Sequence, residues 1–400
     1  MALIVQKFGG SSVADADKIF NVARRVTNTY KEGNEVVVVV SAMGDTTDDL
    51  IEKANEINPN ASKREMDMLL STGEQITISL LAMAIEKMGF PVVSLTGWQI
   101  GMHTDSSYSN ARIKTVDTER MQLELDKKRI VIVAGFQGIN KNDDITTLGR
   151  GGSDTTAVAL AAVLHADLCE IYTDVDGVYS ADPRIVKNAK KMESISYDEM
   201  LELASLGANV LHNRSVEMAK KYNVKLAVRS SFTENEGTYV REVKDMEKMM
   251  VKGVSRDNDV ARIALIGLED RPGVAFKIFS LLAKNKINVD IILQSIGRNG
   301  KKDISFTVSR GNMEKAAEIL EAAEMLDFER IEQSTDVSKV SIVGAGMVNN
   351  PGVASKMFEA LYDANINIHM ISTSEIKISV LIDEKDAEKA VIAIHDKFNI

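Results

Sequence analysis

Residues 3–12 read Leu-Ile-Val-Gln-Lys-Phe-Gly-Gly-Ser-Ser, and this stretch decides the fold class. A Val/Ile-type strand, Leu3–Phe8, ends in two glycines, and a helical pattern over Asp15–Tyr30 leads to a second apolar strand at Glu35–Met43. Strand, helix and strand in this order predict a parallel pair with the helix packed on one face. The glycines let backbone N–H groups approach a phosphate beside Lys7, although a plain turn next to a surface lysine fits the same residues.

The same alternation continues through the first part of the chain. Further strands are predicted at Pro91–Leu95, Ile130–Gln137, Leu168–Asp174 and Lys225–Arg229, and further helices at Arg64–Met88, Ser153–His165 and Tyr197–Leu206. Val/Ile-rich runs are typical of strands that are covered on both faces. The pattern predicts an α/β domain over residues 1–240, in which a mostly parallel sheet lies between two helical layers. Ligands of such sheets bind at the carboxyl ends of the strands.

The last third of the chain contains an internal repeat. Pro272-Gly273-Val274-Ala275 recurs as Pro351-Gly352-Val353-Ala354, with matching residues on both sides. Each copy reads strand, Pro-Gly turn, amphipathic helix and strand, which predicts two small α+β modules. We place them at residues 261–336 and 337–400, after a junction at residues 241–260, and the two can interleave along the chain.

The composition limits the class of protein. A net charge of −10 argues against a general nucleic-acid binder, which needs a basic face. The longest apolar run, Ala157–Leu164, is far shorter than the roughly 20 residues of a membrane-spanning helix. Cys169 is the single cysteine, so no internal disulfide is expected, which fits the reducing cytoplasm. We predict a soluble cytoplasmic protein that binds neither nucleic acid nor membrane.

A glycine-rich loop precedes the helical run Ala157–Leu164. Residues 149–154 read Gly-Arg-Gly-Gly-Ser-Asp, and such a loop leading into a helix N-terminus is an anion site. Arg150 can hold a carboxylate through two hydrogen bonds. Ser153 and Asp154 are also good helix N-caps, and capping alone would explain Asp154.

Three further segments supply polar groups. Thr173-Asp174-Val175-Asp176-Gly177 begins like a calcium loop, but Ile185 stands where a glutamate ligand is required, so we reject that site. Its carboxylates suit sugar hydroxyls, or water around a metal–nucleotide complex. Ser71-Thr72-Gly73-Glu74, together with Ser41 and Thr47, suits an amino-acid substrate with an ammonium group. The five histidines show no metal-ligand spacing, so we predict no metal centre held by protein ligands alone.

In their order along the chain these segments closely resemble the aspartokinases of the amino acid kinase family. The matching stretches are KFGGSS at 7–12, SAMGDTTD at 41–48, STGE at 71–74, GRGGSDTTA at 149–157 and TDVDGVYSADPR at 173–184. The C-terminal repeats look like the paired ACT domains of that family, which are α+β and ferredoxin-like, and ISTSEIKISVLI at 371–382 is characteristic of the second one. The resemblance implies a three-layer amino acid kinase domain followed by two ACT domains.

The resemblance also implies a role for each matched residue. It implies ATP contacts from Lys7, Gly9, Gly10, Ser11, Thr173, Asp174, Tyr179, Arg184, Asn209 and Val210, and L-aspartate contacts from Ser41, Thr47, Glu74, Arg150 and Ser153. The implied catalytic residues are Lys7, against the transferring phosphate, Arg150, and Asp154, which orients the lysine. Ser11 replaces a more usual Thr. Asn209 stands where many relatives carry Lys, which leaves that nucleotide contact open.

The implied reaction converts Mg-ATP and L-aspartate to ADP and 4-phospho-L-aspartate, the entry to lysine, threonine and methionine synthesis. The side chain of free aspartate has a pKa near 4, so the nucleophile is already a carboxylate and needs no general base. The protein has only to bring two anions together and stabilise the transferring phosphoryl group. A kinase for glutamate, acetylglutamate or uridylate is one alternative, and a catalytically inactive amino-acid sensor is another.

Resemblance of the repeats to regulatory ACT domains implies feedback inhibition by lysine, threonine or both, bound between paired units of a homodimer or homotetramer. Each Pro-Gly turn opens a helix that can receive the effector's carboxylate. The predicted effector residues are Asp270, Gly273, Val274, Asn288, Asp290, Gln294, Val353, Ala354, Asn367, Ile368, Ser374 and Glu375. Of these, Asn288, Asp290 and Gln294 can take up its ammonium group. The alternative is that the modules only dimerise the enzyme.

Overall fold

Two units make up the described chain. The structure is a computed structural model, and it describes residues 1–205, 210–242, 251–347 and 350–400. The first unit comprises Met1–Val178, Lys191–Ala204 and residues 210–242. The second comprises Tyr179–Lys190 and the described chain from residue 251 onward.

The first unit alternates strands and helices, as the sequence predicts. Its strands are β1 Leu3–Phe8, β2 Glu35–Val40, β3 Val92–Leu95, β4 Met102–Thr104, β5 Ile113–Val116, β6 Ile130–Ala134, β7 Gln137–Ile139, β8 Ile145–Thr147, β9 Leu168–Thr173, β10 Ser194–Ile195, β11 Leu226–Ser230 and β12 Thr238–Val240. Its helices are α1 Ala16–Lys31, α2 Thr46–Ile57, α3 Lys63–Leu70, α4 Thr72–Lys87, α5 Glu119–Asp126, α6 Gly152–Val163, α7 Tyr197–Ser205 and α8 Asn213–Tyr222.

The main sheet of this unit has eight strands in the order β10-β12-β11-β9-β1-β2-β6-β3. Neighbouring strands run parallel except for β11 and β12, which are antiparallel. The valines Val36–Val40 of β2 are fully buried, because helices cover both faces of this strand. The predicted α/β domain with a mostly parallel sheet is thereby confirmed.

A small second sheet, β5-β4-β7-β8, is absent from the sequence-based prediction. Three of its strands are three residues long, which is too short to leave a clear alternation. The prediction of one strand over Ile130–Gln137 was wrong, because Phe136 adopts φ +70° and turns the chain from β6 in the main sheet to β7 in the small one.

Among the described residues, the helical stretch Lys63–Lys87 is long and apolar enough to cross a membrane, by length and composition alone. Half of its apolar window is buried inside the protein, where α4 packs Ile78, Leu81 and Ile85 into the core beside β2 and β6. It is therefore a core helix. The sequence predicts one helix over Arg64–Met88, whereas the structure has α3 and α4 with Ser71 between them.

The second unit contains the two modules of the repeat. Its strands are β13 Gly253–Asp257, β14 Ala261–Glu269, β15 Ile292–Gln294, β16 Lys301–Val308, β17 Arg330–Ser334, β18 Val337–Val343, β19 Met370–Thr373 and β20 Lys377–Asp383. Its helices are α9 Val274–Lys284, α10 Met313–Glu321, α11 Val353–Asp363 and α12 Ala387–Phe398.

Each module is a four-stranded antiparallel sheet with two helices. The sequence-based prediction contained the first helix of each module but not the second. The first sheet has the order β15-β16-β14-β17 and the second the order β13-β18-β20-β19. The strand β13 precedes the whole first module yet pairs with β18 of the second. The modules therefore interleave. Part of the segment predicted as a junction, residues 241–260, forms β13 of the second sheet, and the domain boundaries stay a prediction.

Candidate active site

An ion pair lies where the first strand of the main sheet ends. The Nζ atom of Lys7, on β1, is 2.6 Å from Oδ1 of Asp154, in the first turn of α6. Asp154 does not cap that helix, so the capping alternative is wrong: α6 begins after Gly151, and Asp154 faces the lysine. The space beside Gly9 opens onto the same ammonium group, since a Cβ there would lie 3.5 Å from Lys7 Nζ.

The glycine-rich loop holds the N-terminus of α6 toward this ion pair. Gly149 and Gly151 adopt φ values of +78° and +69°, which L residues with a side chain rarely adopt. A Cβ at Gly151 would also lie 2.3 Å from the ring of His212. The side chain of Arg150 is exposed, and it forms no ion pair with any residue that the structure describes.

Glu74 is the most perturbed carboxyl group near this edge of the sheet. It lies in the first turn of α4, is 3% exposed, and its Oε1 accepts a hydrogen bond of 3.1 Å from the N–H of Ala42. Its Oε2 is buried without a hydrogen-bond partner among the described residues. Burial raises its pKa to about 8. Such an oxygen is suited to accept from a ligand cation.

Small and polar residues line the loops that follow β1 and β2 and the start of α6. The hydroxyl of Ser41, after β2, donates to the hydroxyl of Ser153 at 3.0 Å. A Cβ at Gly10 would lie 2.8 Å from the carbonyl oxygen of Ala42, so this glycine is required by the close approach of two loops. Thr47 lies in the first turn of α2, half-buried.

The predicted nucleotide residues fall in three places. Thr173 is the last residue of β9, the strand next to β1, and its hydroxyl donates to Asp174, the following residue, at 3.0 Å. Ser11 is exposed in the turn after β1. Tyr179 and Arg184 lie in the segment Tyr179–Lys190 of the second unit. Asn209 lies outside the described residues, and Val210 is half-buried. The structure brings the first group to the ion pair, and the roles of all these residues stay predictions.

Two charged residues, one half-buried and one fully buried, carry no recognisable motif in the sequence. Arg214, on α8, donates to the carbonyl oxygens of Leu148 at 2.8 Å and Ala111 at 2.7 Å. Asp67, on α3, is fully buried and accepts from Ser109 and Thr147. The position of this carboxylate between Met66 and Met68 is the one signal that would have singled out Asp67.

The predicted effector residues lie at the openings of α9 and α11 and in the segments that follow these helices. Gly273 and Gly352 precede these helices with φ values of +91° and +97°, so both Pro-Gly turns open a helix as predicted. Asn288 and Gln294 are exposed, whereas Asp290 accepts a hydrogen bond of 2.5 Å from the buried Lys339. The remaining members lie as follows: Asp270 is 3.1 Å from Lys302, Val274 and Val353 are buried, Ala354 and Ile368 are half-buried, and Asn367, Ser374 and Glu375 are exposed.

Comparisons with known proteins agree with this arrangement. A sequence profile of the amino acid kinase family matches residues 2–230, and one of the ACT domain matches residues 263–323 and 340–398. Aspartokinase 2 of Bacillus subtilis is 53% identical over 402 residues, covering 100% of this chain and 98% of that protein. The crystal structure of E. coli aspartokinase III in complex with aspartate and ADP has a TM-score of 0.82 at 25% identity, covering 100% of both chains. The same enzyme in complex with lysine and aspartate has a TM-score of 0.78 at 25% identity, covering 99% of both.

The main sheet, the lysine at the end of its first strand and the glycine-rich loop define an amino acid kinase, and the chain belongs to the amino acid kinase family. Two ACT domains follow its kinase domain. Within the family the chain belongs to the aspartokinases, because it matches them at about half identity along its whole length.

Proposed function

We propose that this chain transfers the γ-phosphoryl group of ATP to the side-chain carboxylate of L-aspartate, giving ADP and 4-phospho-L-aspartate, the first step toward lysine, threonine and methionine. The observation that carries the proposal is the pairing of Lys7 with Asp154 beside a glycine pair and a helix N-terminus. This combination stabilises phosphate charge and needs no nucleophile from the protein.

The acceptor is proposed to bind between Glu74 and the glycine-rich loop. The unpartnered Oε2 of Glu74 would accept from the ammonium group of aspartate, and the exposed guanidinium of Arg150 would bind a carboxylate in bidentate fashion. The hydroxyls of Ser41 and Ser153, which are hydrogen-bonded to each other, would supply further polar contacts to the acceptor. The acceptor carboxylate would then face Lys7, whose ammonium group also stabilises the negative charge on the phosphoryl group in transfer.

The nucleotide is proposed to lie over Gly9, Gly10 and Ser11, with Thr173 and Asp174 at its far side. Mg²⁺ is expected to arrive with ATP, where it neutralises charge between the phosphates. The described residues hold no cluster of three metal-ligating side chains. They do offer the exposed carboxylate of Asp174 at the end of β9, and Mg²⁺ in phosphotransfer sites takes only one or two protein carboxylates besides phosphate and water.

The test is ADP formation from Mg-ATP with L-aspartate, L-glutamate or no acceptor, with the acyl phosphate trapped by hydroxylamine as a hydroxamate. Aspartate-dependent ADP and hydroxamate in equal amounts are the expected result. ADP without hydroxamate would indicate a plain ATPase. ATP binding without turnover on any acceptor would replace the proposal with an inactive sensor, and turnover on glutamate alone would replace the substrate.

We further propose that lysine, threonine or both inhibit the enzyme by binding at the Pro-Gly turns of the ACT domains. The helices α9 and α11 present free N–H groups at these turns, which suit an amino acid's carboxylate. The functional unit is proposed to be a homodimer or homotetramer joined through these domains, in the cytoplasm. Inhibition requires the effector to bind one enzyme state more tightly than the other.

A further inference from the structure

The carboxylate of Asp67 is enclosed at the small sheet of the first unit. It is 0% exposed, and the structure gives it five hydrogen bonds. The N–H of Ser109 lies 3.0 and 2.9 Å from its two oxygens, and the Ser109 hydroxyl 3.2 Å from Oδ1. The N–H and the hydroxyl of Thr147 each lie at 2.8 Å. Every donor is a backbone N–H or a hydroxyl, and all belong to two residues.

The first of these residues belongs to a loop that touches the glycine-rich loop. Ser109 adopts φ +67°, a conformation that residues with a side chain rarely adopt without outside support. The bonds to Asp67 supply that support. A Cβ at Gly149 would lie 3.0 Å from the carbonyl oxygen of Ser109 and 3.3 Å from Oδ1 of Asn110. The conformation of Ser109 therefore limits where Gly149 can lie.

The second residue, Thr147, is the last of β8 and leads directly into the glycine-rich loop. Its carbonyl oxygen accepts a hydrogen bond of 2.9 Å from Ala111 in the loop that contains Ser109. Arg214 then donates to the carbonyl oxygens of Leu148 and Ala111. Asp67 thus holds both segments that fix the start of the loop carrying Arg150, although it lies in another element.

We propose that Asp67 is a positioning residue of the phosphoryl transfer: through Ser109 and Thr147 it sets the position of Arg150, and with it the affinity for the acceptor carboxylate. This inference rests on the proposed function, because that proposal assigns the acceptor to Arg150. The same proposal places the ATP phosphates against β1 and its glycine pair, and Asp67 forms no hydrogen bond with either of these. We therefore expect Asp67 to affect the binding of aspartate and not the binding of ATP.

The test is the substitution Asp67→Asn in the full-length enzyme. The side chain keeps its size but loses its negative charge: its amide oxygen can keep backbone N–H donors, while its NH₂ group must donate to the hydroxyls of Ser109 and Thr147, so the charge-assisted network is rearranged and weakened. We expect the KM for aspartate to rise at least about tenfold, while the KM for ATP stays within about twofold. Calorimetric titration of L-aspartate should show the same loss of affinity without turnover.

A matched control separates positioning from general destabilisation. Glu124, on α5, is a carboxylate with 1% exposure that is held by Arg129 and Lys127, away from the loop. Glu124→Gln should lower the melting temperature and leave the KM for aspartate unchanged. Thr147→Val removes only a hydroxyl donor, and it should raise the KM for aspartate by about two- to fivefold in the same direction as Asp67→Asn.

The KM values of the variants decide between positioning by Asp67 and general destabilisation. A raised KM for aspartate alone in Asp67→Asn supports the proposal, and if that variant does not fold, Thr147→Val decides in the same way. An unchanged KM for aspartate, or equal rises in both KM values, overturns it. A rise of the same size in Glu124→Gln also overturns it, because stability would then explain the effect. A wild-type enzyme without aspartate-dependent turnover removes the proposed function, and this inference with it.

Discussion

The ammonium group of Lys7 lies 2.6 Å from the carboxylate of Asp154, and each side chain keeps only 12% of its surface exposed. The lysine comes from the first strand and the aspartate from the sixth helix, so the fold brings together charges that are far apart in sequence. Limited solvent access strengthens the attraction and fixes the lysine beside Gly9.

Lys7→Ala should lower kcat by about 10²- to 10³-fold, because the variant loses the fixed positive charge at the transferring phosphoryl group. Steady-state ADP formation with saturating aspartate and ATP measures the effect. Lys31→Ala is the matched control, since this lysine lies at the far end of α1 against the ring of Phe90. Equal activity of the two variants would contradict the role of Lys7.

The raised pKa of Glu74 predicts a pH-dependent affinity for aspartate. The carboxyl group is protonated in the free enzyme below pH 8 and must ionise to bind the substrate's ammonium group. The KM for aspartate should therefore fall roughly 20-fold between pH 6.5 and 8.5. Glu74→Gln should raise this KM and remove its pH dependence. Glu86→Gln, an exposed position on the same helix, should keep the wild-type profile.

Glu74 also predicts the direction in which stability changes with pH. Its pKa is about 8 in the folded protein and near the ordinary value of 4.5 in the unfolded chain, so the folded state holds an extra proton between these values. Its contribution is present below pH 4.5 and is lost as the pH rises through 8. The unfolding free energy of Glu74→Gln relative to that of the wild type should therefore increase by about 1 kcal/mol or more from pH 5 to pH 8. Denaturant unfolding of both proteins at pH 5 and pH 8 measures the difference in unfolding free energy. A difference that is the same at the two pH values would contradict the raised pKa of Glu74.

Gly151→Ala should inactivate the enzyme, because the added Cβ would lie 2.3 Å from the His212 ring and would require a left-handed alanine. We expect the unfolding free energy to fall by about 1–3 kcal/mol and kcat by at least about tenfold. Gly89→Ala isolates the backbone effect, since Gly89 has φ +83° with nothing within 4 Å of its added Cβ. That control should lose stability but remain active. Full activity of Gly151→Ala would show that the loop tolerates displacement.

Gln294→Ala should weaken inhibition by the amino-acid effector without affecting basal turnover. The side chain is exposed on β15, at one edge of the first ACT sheet, so its loss costs the fold little. A hydrogen bond to a charged ammonium group predicts about a tenfold higher concentration for half inhibition. Gln333→Ala, an exposed glutamine on the opposite edge strand β17, is the matched control. Inhibition that is equal in both variants would remove Gln294 from the effector site, and a wild type insensitive to lysine and threonine would favour ACT domains that only dimerise the enzyme.

The sequence predicted those parts of the fold that depend on local pattern. Strand β1 matches its predicted bounds, because a short Val/Ile run that ends at Gly9 and Gly10 favours a strand over a helix. The break at Phe136 could not be predicted, since its left-handed backbone is imposed by packing: the N–H of Phe136 donates to Thr156, and its carbonyl oxygen accepts from Leu148. Both partners are distant in sequence.

The residues of the candidate site also separate into those that the sequence could predict and those that it could not. Lys7, Glu74 and Arg150 could be predicted because they stand in motifs, and parallel strands bring their loops to one edge of the sheet. Asp67 and Arg214 could not, because a charged residue inside a helix looks the same in sequence whether it holds a loop or only its own helix. Their partners, Ser109 and Leu148, become visible only once the small sheet is in place.

Because β13 pairs with β18, the two strands of this pair are synthesised at different times. Gly253 pairs with Val343, so the partner strand leaves the ribosome only after the whole first ACT domain has been made. At about 5–20 residues per second, the edge of β13 waits on the order of 5–20 s for its partner. During that interval its unpaired N–H and C=O groups are open to pairing with another nascent chain. The polar residues Ser255, Arg256 and Asp257 in this short strand are the kind that reduce such mispairing.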